Sequence, residues 1–227
     1  MSGSPPACRW LLALHSSSDT LGLALQPLAD DSAVPGAPRV ETFALGRALA
    51  NALPGCVEAL LPASRWGELG RLAVAIGPGG FTGTRLTVVL ARTLAQQLAL
   101  PLDGIGSFPL IARRLLARSG PELSGGIWLI KELPRRGLVA GLYGADPSAL
   151  EGVREWCAPR LYADPAGLTE VERQVGMAEV PRLAAEPSQP ADVLSLLEIA
   201  QLASRQGRSA PWQTVLPLYP TSPVAPG

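Results

Sequence analysis

Nine consecutive residues, Gly77-Pro78-Gly79-Gly80-Phe81-Thr82-Gly83-Thr84-Arg85, combine types and spacing that invite a chemical reading. Glycines admit positive φ and close backbone approach. Amides at a helix start attract anions. Together they describe a phosphate cradle. The segment matches neither G-x-x-x-x-G-K-[ST] nor G-x-G-x-x-G, the two phosphate motifs that glycines of this kind usually serve. The same residues also make a tight turn that starts a buried helix, and the pattern alone favours that turn. In this reading Thr82 is the N-cap, and Phe81 and Leu86 form a hydrophobic staple across it.

The other reactive side chains are few. With a single histidine, His15, the sequence cannot form a two-histidine metal site, and a Ser-His-Asp triad would have to use His15 alone. A histidine at a strand end is more often a structural hydrogen-bonding residue than a base. Ser16, Ser17 and Ser18 beside it are ordinary turn residues. Cys8, Cys56 and Cys157 are odd in number and contain no C-x-x-C pair. They argue against a disulfide framework or a cysteine zinc site and read as buried or incidental thiols. Arg113, Arg114 and Arg118 can touch nucleic-acid phosphates. Because 19 basic residues balance 19 acidic ones, a solvated helix face is the better reading. Trp128 and Trp156 read as core residues rather than a stacking platform.

These residues sit in a chain of 227 residues that is 47% hydrophobic and 17% charged, which suits one large domain or two small lobes and excludes global disorder. No apolar run reaches spanning length, and Met1–Trp10 lacks the apolar core of a secretory signal. The expectation is a cytoplasmic protein with no membrane partner. Two apolar runs, Trp10–Leu14 and Thr20–Leu25, flank a polar turn and predict a hairpin. Arg39–Phe43 reads as a third strand. Residues 45–61 read as a kinked helix or two short ones, because Pro54-Gly55 interrupts them. A buried strand over 71–76, a helix over 84–99, a short strand over 102–105 and a helix over 107–118 capped by Ser107 follow. Residues 119–126 mark the lobe boundary. Strands at 127–130 and 138–143, an irregular stretch 144–190, a helix over 191–206 and an extended C-terminus complete the reading. Hairpins followed by alternating strands and helices indicate a mixed α/β sheet.

The helix after the glycine-rich turn is apolar over about 220° of arc, against the ~100° that one buried face needs. Leu86, Leu90, Leu94 and Leu98 fill one part. Val88, Ala91, Ala95 and Ala99 add a second stripe. Arg92, Thr93, Gln96 and Gln97 occupy the remainder. Such a helix is expected to be buried on two sides, the second side by another helix or by a partner protein.

The nine-residue segment resembles the G-P-G-[S/G]-F-T-G-x-R signature of the TsaB (YeaZ) family. Leu12-Ala13-Leu14-His15-Ser16-Ser17 is similar to that family's opening strand, Leu102–Ser107 to its next strand and helix start, and Pro217-Leu218-Tyr219 to its P-x-Y segment. The resemblance covers about 10–118 well and 127–224 more weakly. It implies the actin-like, sugar-kinase-like ATPase (ribonuclease H-like) fold: two α/β lobes with mixed sheets at 9–118 and 126–224, the second smaller and degraded, after a flexible tail 1–8.

It further implies a non-catalytic subunit that pairs with TsaD and works with TsaE. TsaD threonylcarbamoylates the adenosine next to the anticodon of tRNA. ATP would be used by the complex, tRNA reached through the complex, and a homodimer formed when TsaD is absent. Pairing in the family uses the first two helices, here about 45–61 and 83–99, so Val88, Ala91, Arg92, Ala95 and Ala99 become the expected interface.

Two positions depart from the family. His15 replaces the acid that helps hold nucleotide-bound magnesium in actin-like ATPases, and imidazole suits that oxygen-seeking ion poorly. Lys131–Gly137 replaces a second phosphate-side turn, with Glu132 its one acid. The competing readings are an ATP-binding or ATP-hydrolysing enzyme of this fold, which needs those carboxylates, and a glycoprotease-like hydrolase or transferase of the TsaD kind, which needs an H-x-x-x-H pair.

Overall fold

The Ser16–Asp19 turn reverses the chain between β1 (Trp10–His15) and β2 (Thr20–Pro27), which pair antiparallel from Trp10↔Pro27 to His15↔Gly22. β3 (Arg39–Ala44) adds antiparallel to β2. The computed structural model describes residues 9–28 and 36–220. The expected flexible tail 1–8 with Cys8, the loop around 29–35 and the end of the C-terminus lie outside the described residues. After a short 3-10 turn comes α1 (Leu49–Leu60), one helix that runs through Pro54. It neither breaks nor splits, because Pro54 and Ala50, the residue whose carbonyl loses its hydrogen bond, both lie on the exposed side. β4 (Leu69–Ala75), α2 (Phe81–Leu98) and β5 (Leu102–Ile105) follow, with β4 parallel to β1 and β5 parallel to β4.

The resulting sheet has the order β3-β2-β1-β4-β5, with β2 alone reversed, which is the ribonuclease H-like arrangement. Strand alternation sends Leu12, Leu14, Leu72 and Val74 into one core with Leu53 and Val57 of α1 and Val88 and Ala91 of α2. Leu11, Ala13 and His15 point to the other face.

The second sheet is built from β6 (Ile127–Leu133), β7 (Gly137–Ala145), β8 (Val153–Tyr162) and β9 (Arg182–Ala184), after α3 (Ser107–Ser119) and with α4 (Pro165–Gln174) between β8 and β9. Its order is β8-β7-β6-β9, with β9 parallel to β6. It repeats the first four strands of the other sheet: a meander of three, then a fourth strand parallel to the first. One face packs Phe108, Ile111, Leu129, Val139 and Tyr143; the other packs Trp128, Leu138, Ala140, Leu142 and Leu168.

The chain divides into a unit running to Ile105 that regains Ser188–Pro217, and a unit of Gly106–Pro187 continued from Leu218. The boundaries therefore differ from 9–118 and 126–224. α3 packs on β6, β7 and β8, so it belongs to the second unit, and α5 (Ala191–Arg205) returns to cover β1, β2 and β4 of the first. The stretch 144–190 holds regular elements after all. β8 is an exposed edge strand whose charges and Pro159 hide any alternation, whereas Asp164 and Pro165 are a legible start for α4: Asp164 accepts a hydrogen bond from the Gly167 amide at 2.9 Å. No helix among the described residues is long and apolar enough to cross a membrane.

Candidate functional site

The glycine-rich turn between β4 and α2 is held by the turn that follows β1. The Gly80 amide donates to the Ser17 carbonyl at 2.8 Å. A Cβ on Gly79 would lie 2.6 Å from Ser17 Cα, and one on Gly83 would lie 2.9 Å from the Ser16 carbonyl oxygen. Ser16 Oγ and Thr87 Oγ1 are 2.8 Å apart, fully buried, and Thr87 also donates to the Thr84 carbonyl at 3.2 Å. Gly77 takes a φ of +100° and is followed by a cis peptide to Pro78. The glycines thus admit a close backbone-to-backbone approach. The chain's own Ser16–Ser17 backbone occupies the side of the turn that Gly79 and Gly83 line. His15 points to the opposite face of the sheet, where Gly22, its cross-strand partner, lies under Gln189 and Val193 at the start of α5.

α2 begins at Phe81, with Gly80 as N-cap and no side-chain cap bond. Thr82 therefore lies inside the first turn, exposed, and is not the cap. Phe81 is 59% exposed and does not staple to Leu86. It lies one turn before Arg85 instead, and the Arg85 guanidinium carbon sits 3.5 Å from its ring centroid.

Of the expected interface residues, Val88, Ala91 and Ala95 are fully buried in the first unit's own core, on the face of α2 turned to the sheet. They are not available on the surface. Arg92 is engaged as well: it donates to the Val215 carbonyl at 2.6 Å and lies 5.5 Å from the Trp212 ring. Ala99 is the exposed C-cap, left-handed at φ +53°. The solvent face of α2 carries Phe81, Arg85 and Val89, with Leu86 and Leu90 half-buried beside them; Val89 is 59% exposed. α1 packs alongside and exposes Ala50, Asn51, Pro54 and Glu58. The wide apolar arc thus has one side in the core and the other on a helix-pair surface.

Arg114 donates to the Glu186 carbonyl at 2.7 Å, Arg113 is half-buried and Arg118 exposed. Burial pushes the Cys56 and Cys157 thiols above the usual range. Trp128 is fully buried, while Trp156, 40% exposed, lies against Gly126 and Gly144. Glu132 is exposed on β6, before a turn in which Arg135 takes φ +65°. Among the described residues, no group of three or more His, Cys, Asp or Glu side chains is placed to hold a metal ion.

Sequence reasoning missed what ties the C-terminal strap to the first unit. Arg71 on β4 makes a two-point ion pair with Asp103 on β5, at 2.6 and 2.9 Å, and reaches the Arg208 carbonyl. The Leu102 amide donates to the Ala210 carbonyl, and Val215 enters the core. These partners lie 32 to 137 residues apart, and no local pattern announces them.

A ribonuclease H-like α/β chain whose glycine-rich turn is packed by its own backbone, and whose second helix exposes Phe81 and Val89, falls in the class of two-unit chains of this fold. Comparison with known proteins narrows the class. Residues 44–124 match the family model described as TsaD: tRNA N6-adenosine threonylcarbamoyltransferase. The chain is 32% identical over 145 residues to the tRNA threonylcarbamoyladenosine biosynthesis protein TsaB of Bacillus subtilis (strain 168). That match covers 63% of this chain and 58% of the length of the relative. Two solved structures from Pseudomonas aeruginosa share the fold. One is a protein with similarity to the peptidase YEAZ: TM-score 0.66, 21% identity, 93% of this chain and 99% of that one. The other is YeaZ: TM-score 0.65, 20% identity, 92% of this chain and 100% of that one. The chain is thus similar to TsaB in sequence over part of its length, and similar to the two Pseudomonas aeruginosa structures in fold.

Proposed function

We propose that this chain is a non-catalytic subunit of the tRNA threonylcarbamoyladenosine machinery that docks onto TsaD through the exposed face of α1 and α2. The observation that carries the reading is the placement of that face. α1 and α2 both lie within residues 44–124, the segment that resembles the TsaD family, and α2 there exposes Phe81 and Val89 beside Leu86 and Leu90, which are half-buried against the first unit's core. Contiguous exposed apolar surface of this kind marks protein–protein contact. The interface expected at Val88, Ala91 and Ala95 moves about a quarter turn around the same helix, to Phe81, Arg85 and Val89.

In this role the chain has no acyl-transfer chemistry of its own. Its single histidine cannot supply a histidine pair. TsaD holds the reacting groups, TsaE and ATP serve the complex, tRNA is met through the complex, and the setting is cytoplasmic. The test is reconstitution with tRNA, TsaD, TsaE, ATP and a threonylcarbamoyl donor, followed by nucleoside analysis. Modified adenosine is expected with the full set, and none from this chain alone. Equal yield with and without the chain would contradict the reading.

A further inference from the structure

The sheet of the first unit ends at β3, whose outer edge has no neighbouring strand among the described residues. Hydrogen bonds fix which backbone groups point out of that edge. The Leu28 amide donates to the Arg9 carbonyl, one step beyond the Trp10↔Pro27 pair, so the even-numbered residues of β2 bond to β1 and the odd-numbered ones to β3. The Leu45 amide donates to the Asp19 carbonyl, one step beyond the Thr20↔Ala44 pair, which is the same phase. Arg39, Glu41 and Phe43 therefore bond to β2 through their backbone, while Val40 and Thr42 turn their N–H and C=O groups outward. The side chains of Arg39 and Glu41 share one face of the strand, opposite Leu25 and Leu23. Both are exposed, and neither makes an ion pair or side-chain hydrogen bond with another described residue.

We propose that the outer edge of β3 is a self-association surface that pairs antiparallel with β3 of a second copy of this chain, centred on Val40. A two-fold axis normal to the sheet gives the symmetry of the commonest homodimers. With Val40 opposite Val40, the two residues exchange both of their outward hydrogen bonds, and the Thr42 amides point at the Pro38 carbonyls. Pro38 has no N–H to give, so the ladder ends there. Arg39 then faces Glu41 of the second copy, and Glu41 faces Arg39. These are non-hydrogen-bonded positions, where opposed side chains lie closest. The next register in one direction sets Arg39 against Arg39, and in the other Glu41 against Glu41, and like charges directly opposite are destabilising. Charges on an edge strand ordinarily deter a neighbour. Here their order along the strand admits one neighbour, a second copy in a single register. This edge is separate from the α1–α2 face, so the proposal stands independently of docking onto TsaD. Six residues make a small contact, and the dimer is therefore weak and dissociates on dilution.

The experiment is sedimentation equilibrium of the full chain at low salt over a concentration series. The samples are wild type, Arg39→Glu, Glu41→Arg, the double exchange Arg39→Glu with Glu41→Arg, and an equal mixture of the two single variants. Wild type is expected to pass from monomer to dimer as concentration rises. Each single variant sets two like-charged pairs across the axis and should self-associate at least about tenfold more weakly. The double exchange restores both opposite pairs and should recover the wild-type dimer. The mixture should recover a dimer as well, because one chain is then acidic at both positions and the other basic at both. Thermal unfolding of each variant is compared with wild type, since exposed substitutions of this kind leave stability nearly unchanged. A wild-type chain that stays monomeric across the series would overturn the proposal. Self-association that ignores the single reversals would overturn it too, by placing the contact elsewhere. Single losses that neither the double exchange nor the mixture repairs would overturn the register and the pairing that defines it.

Discussion

Gly79 separates structural from chemical readings of the signature turn. Its place is explained by the Ser17 backbone, which leaves no room for a side chain. Gly79→Ala is expected to destabilise the chain by about 2 kcal/mol through overpacking against immovable backbone. Denaturant titration reads this directly, and a neutral result would mean that the two turns are not in contact. Tyr143 gives a second test. It is fully buried and donates its hydroxyl to the Glu155 carboxylate at 2.9 Å. Burial first, then the neighbouring charge and that hydrogen bond, hold its phenol well above the ordinary range. A folded pKa above the unfolded one gives stability that is whole below pH about 10 and is lost as pH rises beyond it. Absorbance titration should show Tyr143 silent until the fold opens; full ionisation of all three tyrosines with native circular dichroism intact would contradict this.

At the scale of elements, α2 carries the argument. Val88 and Val89 are neighbours in sequence, yet one is fully buried and the other 59% exposed. Val88→Arg is expected to cost more than about 3 kcal/mol, because it buries an uncompensated charge, whereas Val89→Arg should change stability by less than about 0.5 kcal/mol. Thermal unfolding of the two variants checks this; similar losses would mean that α2 turns a different face to the sheet. The sequence showed that α2 is too apolar for one buried face, but not which stripe faces out. Both stripes are apolar, and the choice depends on the sheet's position. The first hairpin and β4 were legible because they are continuous apolar runs bounded by turns. β8 was not, because an edge strand with Arg154, Glu155, Pro159 and Arg160 satisfies no burial pattern. Pro54 does not end α1, because the carbonyl of Ala50 that loses its partner is on the exposed side and can bond water instead.

At the scale of the whole molecule, two sheets share one strand arrangement, and only topology reveals it. Burial patterns and loop lengths differ between the halves, so no residue-level repeat remains to be seen. The division into units is not legible for a related reason: α3 and α5 are ordinary amphipathic helices, and nothing in either one says which sheet it covers. The nine-residue signature carried the resemblance to TsaB, since few turns need glycine at each close contact and an aromatic–arginine pair one turn apart. The central claim is that the exposed face of α1 and α2, and not the buried stripe of α2, meets TsaD. It is tested most directly by light scattering on a size-exclusion column with TsaD and either the wild-type chain or Val89→Arg, which leaves the core untouched. The account predicts a complex of one chain with one TsaD for wild type and separate, folded species for Val89→Arg. A complex that survives Val89→Arg unchanged, or a wild-type chain that elutes apart from TsaD, would contradict it.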